Sequence, residues 1–267
     1  MFALLTRQAF YPPCPLRYVF KVSKHVLATR PYHILAKPGD IAERVLVVGD
    51  PGRADAIARE LLSGAVLVNS NRGFNTYTGF FEGERVTVAT HGIGGPSAAI
   101  VVEELRMLGA KLVVRLGTCG GLAEGVRVGD AVVALGAIYQ PGGTPGMYAP
   151  GVCYPAAADP EVVLELEKGL REEGFRVHRG VVASSDAFHA EEANLGPWSS
   201  LGAIAVEMEC ATIFTVARIR GMKTGAALVV IDNLATGEYL EVGAEERRKL
   251  ELGAARGVLK ALVRTPL

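Results

Sequence analysis

From Val45 onward, short continuous apolar runs alternate with longer stretches whose apolar residues recur at helical spacing. Val45 to Val48 is an unbroken β-branched and aliphatic run, the pattern of a strand covered on both faces. Asp50 then has the character of an N-cap and Pro51 of a first helical residue. Ala54, Ile57, Ala58, Leu61 and Leu62 supply the apolar stripe of the helix they open. Val86 to Ala89 predicts a second strand, ended by His91-Gly92-Ile93-Gly94-Gly95-Pro96. Ser97 is expected to cap the next helix, with Ile100, Val101, Leu105 and Leu108 on its buried face and Glu103 and Glu104 facing away. Leu112 to Leu116 and Ala131 to Leu135 predict strands, the first closing in the turn Gly117-Thr118-Cys119-Gly120-Gly121. Further strands are predicted near 177–183, 203–206 and 226–231, and helices over 161–173, 208–219 and 244–263.

Strands alternating with helices imply one α/β layered domain on a largely parallel sheet. Ligands of such sheets collect beyond the carboxyl ends of the strands. The Gly49 turn, the glycine-rich turn after Leu116, the Glu207-Met208-Glu209 segment and Asp232 all follow predicted strands. Gly49-Asp50-Pro51-Gly52-Arg53 is a glycine turn opening a helix that carries an arginine, a general means of holding an oxyanion. Carboxylates at Glu207 and Glu209 suit a hydroxyl-rich ligand. Together they suggest chemistry on a sugar with phosphate nearby.

Composition narrows the function classes. The 267 residues are 49% hydrophobic, enough for a substantial globular core. Lys+Arg 28 balances Asp+Glu 28, so no overall basic field marks a nucleic-acid binder. No apolar run reaches the roughly 18 residues of a membrane span. The four cysteines, Cys14, Cys119, Cys153 and Cys210, lie far apart without zinc-ligand spacing. They read as small buried thiols, with a disulfide still open. Before Asp40 the chain has no acidic residue but carries Arg7, Arg17, Lys21, Lys24 and Arg30. Residues 1–31 are therefore expected to be a basic leader or extension to a domain over 32–267, without the features of a secretory signal.

The chain resembles the nucleoside phosphorylase family of hexameric purine nucleoside, uridine and 5′-methylthioadenosine phosphorylases. The matching pieces are Tyr32-His33-Ile34, Val48 to Ala54, Asn71-Arg72-Gly73, His91 to Ser97, Arg115 to Gly120, Val206 to Glu209 and Asp232-Asn233. Their shared order, rather than any one of them, carries the resemblance. It implies a three-layer α/β/α domain with a central mixed, largely parallel sheet, and a cytoplasmic homohexamer built as a trimer of dimers. Phosphate would be a co-substrate, with no metal or organic cofactor and no nucleic-acid or membrane partner. Gly49, Arg53, Arg115 and Thr118 would bind phosphate, joined by Arg72 from a neighbouring subunit. His33, also from the neighbour, would approach the ribose 5′ position. Glu209 would accept from the ribose hydroxyls, Met208 would pack on the sugar with Glu207 beside it, and Phe188 would stack near the base. Asp232 would be the general acid.

These residue types suit phosphorolysis. Arginine forks strip and orient an anionic nucleophile, and a departing purine leaves more readily when its imidazole nitrogen is protonated. An ordinary aspartate is ionised at neutral pH, so Asp232 needs burial or a neighbouring carboxylate to hold its proton.

Taken singly, each residue has a plainer reading. Arg53, Arg72, His33 and Glu209 fit solvated positions, Met208 and Phe188 fit a core, Arg115 fits a structural ion pair, and Asp232-Asn233 fits an Asx turn. Rival functions are a dinucleotide oxidoreductase, a nucleosidase using water, and a non-enzymatic nucleoside sensor. Neither glycine-rich stretch completes G-x-G-x-x-G, and no G-x-S-x-G suggests a serine hydrolase. Uridine phosphorylases carry a Gln that grips the uracil edge; Ser184-Ser185-Asp186-Ala187-Phe188-His189 has none, which favours purines. This stretch is especially similar to archaeal enzymes of methylthioadenosine and purine nucleosides. Ile231 replaces a common Ser and His189 a common Tyr, and Arg247 or Arg248 is a candidate assistant to Asp232.

Overall fold

A computed structural model describes residues 30–267; the expected basic leader, apart from its last two residues, and Cys14 lie outside that range. The strands are β1 (Arg44–Val48), β2 (Ser63–Asn69), β3 (Thr76–Phe81), β4 (Glu84–Thr90), β5 (Leu112–Gly121), β6 (Ala131–Ile138), β7 (Val177–Ser184), β8 (Ala203–Glu207), β9 (Lys223–Asn233) and β10 (Glu238–Tyr239). The helices are α1 (Pro51–Leu61), α2 (Gly95–Met107), α3 (Thr144–Tyr148), α4 (Pro160–Glu172), α5 (Glu192–Ser200), α6 (Cys210–Ile219) and α7 (Ala244–Arg264). All strands join one mixed sheet in the order β10-β9-β6-β7-β8-β5-β1-β4-β3-β2.

Parallel pairings hold its centre, β4–β1–β5–β9 and β6–β7–β8. Antiparallel pairing enters through the β2–β3–β4 meander, through β6–β9, and where the tips of β5 and β8 meet, Gly120 opposite Val206. Strands β5, β9, β6, β7 and β8 thereby close into a ring. The closure turns the carboxyl end of β8 toward that of β5, which no reading of an open sheet anticipates. One apolar cluster, with α1, α4 and α7, packs on Leu46, Val114 and Leu228; another, with α2 and α6, packs on Val45, Val47 and Val113. Alternating residues of β1 thus serve opposite faces.

Local expectations hold where the physics is local. Asp50 caps α1, its carboxylate accepting from Gly52 N at 2.7 Å, with Pro51 first in the helix. Several others are corrected. Helix α2 begins at Gly95 with Gly94 as its cap, and the Ser97 hydroxyl donates to His91 O at 2.6 Å instead of capping. Glu104 does not face solvent: it is buried, accepting from Tyr32 N, His33 N and Ile34 N, because the strand-free segment before β1 brings its backbone donors across α2. Ile100, expected on the buried face, is 37% exposed. Helix α6 starts at Cys210, since Met208 and Glu209 form the non-helical junction before it. The supposed turn Gly117 to Gly121 is strand, as is Asp232.

Candidate active site

The carboxyl ends of β1, β5, β8 and β9 border one cavity of about 680 Å³. Gly49, Arg53, Arg115 and Thr118 line it, as do Phe188, Met208, Glu209 and Asp232, and Glu207 reaches it from the end of β8.

Arg115 interrupts the apolar interior of β5, where an unpaired guanidinium would be costly. Its Nη2 lies 2.5 Å from Glu209 Oε2, and its Nε donates to Glu207 Oε2 at 3.2 Å. Nη1 donates to His91 Nε2 at 2.8 Å. Burial opposes the arginine's charge, but Glu209 and then Glu207 overcome that and hold its pKa above the ordinary guanidinium value. Because Arg115 can only donate, His91 is neutral with its proton on Nδ1; burial and then the Arg115 charge keep its pKa well below the usual imidazole range. The guanidinium folds against Gly117, where a Cβ would sit 2.6 Å from Cζ. That close approach is why a glycine follows Leu116. These contacts engage three of the guanidinium's five N–H groups, and Arg115 lines the cavity.

The two carboxylates divide the work. Glu207 is saturated by protein: Oε1 accepts from Ser184 Oγ at 2.5 Å, and Oε2 from Glu209 N at 2.8 Å. Cys210 N, at the start of α6, adds a further bond at 3.0 Å, where a carboxylate complements the helix N-terminus. Glu207 therefore braces Arg115 and the β8–α6 junction. Glu209 accepts from Gly94 N at 2.6 Å through Oε1, tying the same junction to α2. Burial raises the Glu209 pKa above the ordinary carboxylate value, and the Arg115 charge opposes that rise.

Arg53, on the first turns of α1, reaches the cavity and pairs through Nη2 with Glu251 Oε1 of α7 at 2.8 Å. Its Nε is buried with no partner among the described residues. A buried donor beside a cavity is what an incoming anion satisfies.

Asp232 owes its aim to a β-bulge. Cys119 pairs with Val230 and Gly120 with Asp232, leaving Ile231 as the extra residue, so Ile231 and Asp232 both line the cavity. A Cβ on Gly120 would stand 3.1 Å from Asp232 Oδ1. Burial pushes the Asp232 pKa above its ordinary value. The Asx turn falls to its neighbour: Asn233 Oδ1 accepts from Ala235 N at 2.8 Å, and its Nδ2 donates to Val126 O at 2.6 Å. Asp232 is left free for the cavity.

Phe188 is 62% exposed in a 3₁₀ turn, its ring set edge-on to His189 at 5.1 Å. His33 and Arg72 do not line the cavity of their own chain. They lie together on another edge, where Asn71 Nδ2 donates to His33 O at 3.0 Å and His33 Nδ1 is 2.7 Å from Glu104 Oε1. Arg72 has φ 56, a left-handed conformation that turns an exposed side chain outward. Arg247 and Arg248 bond Glu251 and Glu60, and neither lines the cavity. Glu191, Tyr239 and Leu234 do line it, although nothing in the sequence singled them out. Among the described residues no cluster could hold a metal ion, and no helix is long and apolar enough to cross a membrane. Cys119 and Cys210 are buried free thiols, whereas Cys153 is exposed.

Known proteins are similar to this chain in sequence. The family model described as "Phosphorylase superfamily" matches residues 43–264. A guanosine phosphorylase of Halorubrum lacusprofundi is 38% identical over 86% of this chain and 94% of its own length. A uridine phosphorylase of Thermococcus kodakarensis is 36% identical, over 84% of this chain and 88% of its own. A DeoD-type purine nucleoside phosphorylase of Geobacillus kaustophilus is 39% identical, over 81% and 91% respectively. With the match running from the start of β1 to the end of α7, the chain belongs to the phosphorylase superfamily of purine nucleoside and uridine phosphorylases.

Proposed function

We propose that this protein is a phosphate-dependent purine nucleoside phosphorylase. A phosphate oxygen attacks C1′ of the nucleoside, the C1′–N9 bond breaks with its electron pair passing to the purine, and Asp232 delivers a proton to N7. The products are free base and ribose 1-phosphate. The observation that carries this reading is one cavity lined, from the ends of β1 and β9 on either side of β5, by Arg53 with an unsatisfied buried Nε and by an aspartate whose acidity burial has weakened.

Gly49, Arg53, Arg115 and Thr118 hold the phosphate; fixing nucleophile and sugar in line is worth several kcal/mol of barrier in general. Glu209, kept in place by Arg115 and Gly94, accepts from the ribose hydroxyls, with Met208 against the sugar and Phe188 beside the base. Glu207 acts through Arg115 and the α6 N-terminus. His33 and Arg72, which do not line their own cavity, complete the site of a second subunit, so the smallest active unit is a dimer and the assembly a hexamer of three such dimers. Purines are favoured over uridine because the segment after β7 has no Gln to grip a uracil edge. The relatives include both guanosine and uridine phosphorylases, and methylthioadenosine is the chief alternative substrate.

The test is a substrate panel of inosine, guanosine, adenosine, methylthioadenosine and uridine, each with and without phosphate. Phosphate-dependent release of hypoxanthine, guanine or adenine supports the proposal. Dominant turnover of uridine or methylthioadenosine would reassign the substrate, and phosphate-independent cleavage would make the protein a nucleosidase.

A further inference from the structure

The Arg115 fork is gripped from two directions. Glu207 takes Nε and Glu209 takes Nη2, along the side edge of the guanidinium; the far arm, Nη1, ends on His91 Nε2 at 2.8 Å. His91 follows β4, and its N–H donates to Val48 O at 2.8 Å, so it flanks β1 on one side as Arg115 of β5 does on the other. The bond between them spans the carboxyl end of β1, and His91 Cε1 lies 3.7 Å from where a Cβ on Gly49 would sit. The first turn of α2 closes a circuit around it. Ser97 Oγ donates to His91 O at 2.6 Å, and Gly94 N donates to Glu209 Oε1 at 2.6 Å. Packing alone does not account for an imidazole here. The residue is fully buried, and its Nδ1 has no hydrogen-bond partner among the described residues, a penalty that an aliphatic side chain would avoid. What the ring supplies is an uncharged acceptor, kept neutral by burial and then by the Arg115 charge. A third carboxylate in its place would offset the positive charge beside the cavity.

We propose that His91 is a positioning residue which, by fixing the far arm of Arg115, aims Glu209 at the ribose hydroxyls and so sets the preference for ribonucleosides over nucleosides lacking those hydroxyls. The proposal rests on the nucleoside reading of the cavity. A planar fork held only along its side edge can swing about that edge, and a bond on Nη1 fixes its plane. Glu209 takes its direction from that plane through Oε2 and from Gly94 through Oε1. The lone pairs left over on the carboxylate then stand at set positions, ready for O–H donors. Without the imidazole, Glu209 keeps its charge and loses its aim. His91 itself does not line the cavity, so it acts on the sugar only through Arg115.

The experiment compares wild type with His91→Leu and His91→Gln. Leucine is close to histidine in size and has no acceptor, whereas the glutamine carbonyl can take the place of Nε2 and accept from Arg115. Two quantities are read: kcat/KM for inosine and 2′,3′-dideoxyinosine at saturating phosphate, and calorimetric binding of both in phosphate-free buffer. His91→Leu should lower the inosine-to-dideoxyinosine ratio by about tenfold or more in both assays, and His91→Gln should keep it within about threefold of wild type. The ratio is internal to each protein, so partial unfolding, which scales both substrates alike, leaves it in place. Should His91→Leu fail to fold, His91→Asn, too short to reach Nη1, is read instead. An unchanged ratio without the acceptor overturns the assignment. Equal losses on both nucleosides overturn it too, because they would make His91 a support of the fold or of phosphate alone. A His91→Gln protein as unselective as His91→Leu also overturns it, since the acceptor would then not be what matters. Calorimetry separates the proposal from its foundation. A binding ratio that falls in the expected way, in a protein whose wild type splits no nucleoside, sinks the phosphorylase reading and keeps His91; active phosphorolysis at an unchanged ratio does the reverse.

Discussion

Replacing Asp232 by Asn tests the proposed proton delivery at a single position. The amide has the shape of the carboxyl, so it occupies the same space against Gly120, where a Cβ would already crowd Oδ1 at 3.1 Å. Burial is the sole cause of the raised Asp232 pKa, so the carboxyl has no described ion pair or hydrogen bond to forfeit. Folding should survive. Below the carboxyl's unfolded pKa both states are protonated and the wild type carries no burial cost. As pH rises from there through the raised folded value, the native state must ionise a buried group and loses stability. Asp232→Asn abolishes that loss, so the variant should be at least as stable as wild type at neutral pH. The penalty falls entirely on the barrier: positioned acid catalysis is worth ~10² to 10⁴-fold, about 3 to 5 kcal/mol. Steady-state phosphorolysis of inosine and adenosine, followed by absorbance, should show kcat/KM lower by that factor. A 7-methylated purine nucleoside, already cationic and needing no proton, should be cleaved at close to the wild-type rate. In the wild type, kcat/KM for inosine should fall as pH climbs past the raised Asp232 value. Inosine turnover within about threefold of wild type would refute the acid role.

Gly117→Ala places a Cβ 2.6 Å from Arg115 Cζ; overpacking should cost about 1–3 kcal/mol in urea denaturation and raise KM for phosphate, and an unchanged KM would detach Arg115 from the anion. Glu104→Gln removes the charge that receives three backbone donors of residues 32–34 and the His33 ring. Burial alone would raise the Glu104 pKa, but those donors hold it below the ordinary carboxylate value, so this contribution is present above the unfolded pKa and lost as pH falls through the folded one. The substitution should loosen that segment to protease and raise KM for nucleoside, with bonds to a charged group worth about 1.5–3 kcal/mol each. Arg72→Ala and Asp232→Asn proteins, each nearly inactive, should regain about a quarter of the wild-type rate when unfolded and refolded together, because half the dimers then carry one intact site of two. No recovery would confine each site to one chain.

Features set by neighbours in sequence were legible. The Asp50 cap and Pro51 start of α1, the apolar run of β1 and the amphipathic α4 follow from local chemistry. Edge and irregular elements were not. Helix α5 carries Gly196 and Pro197 in its interior and looks like a loop. Strand β2 is largely exposed, so its residues show no buried alternation. At the site, motif order brought Gly49, Arg53, Arg115, Thr118, Glu209 and Asp232 to notice, and they share a cavity. What sequence could not supply is who holds whom. His91 and Glu251 steady Arg115 and Arg53 across 24 and 198 positions of chain. Ring closure, which sets Glu207 against Arg115, depends on pairings made between distant strands. Glu191 lies in a polar stretch with no motif, so only the cavity reveals it.

The central claim is spatial: an anion held by arginines on one side of C1′ and an aspartic acid beside the leaving base on the other. A crystal structure with sulfate and inosine bound tests it most directly. The account predicts sulfate within about 3 Å of Gly49 N, Arg53 Nε, Thr118 and the partner subunit's Arg72, with Arg115 adjoining and Asp232 on N7. Sulfate lodged elsewhere, with Arg53 engaged by Glu251 alone and Asp232 turned away from the base, would contradict it.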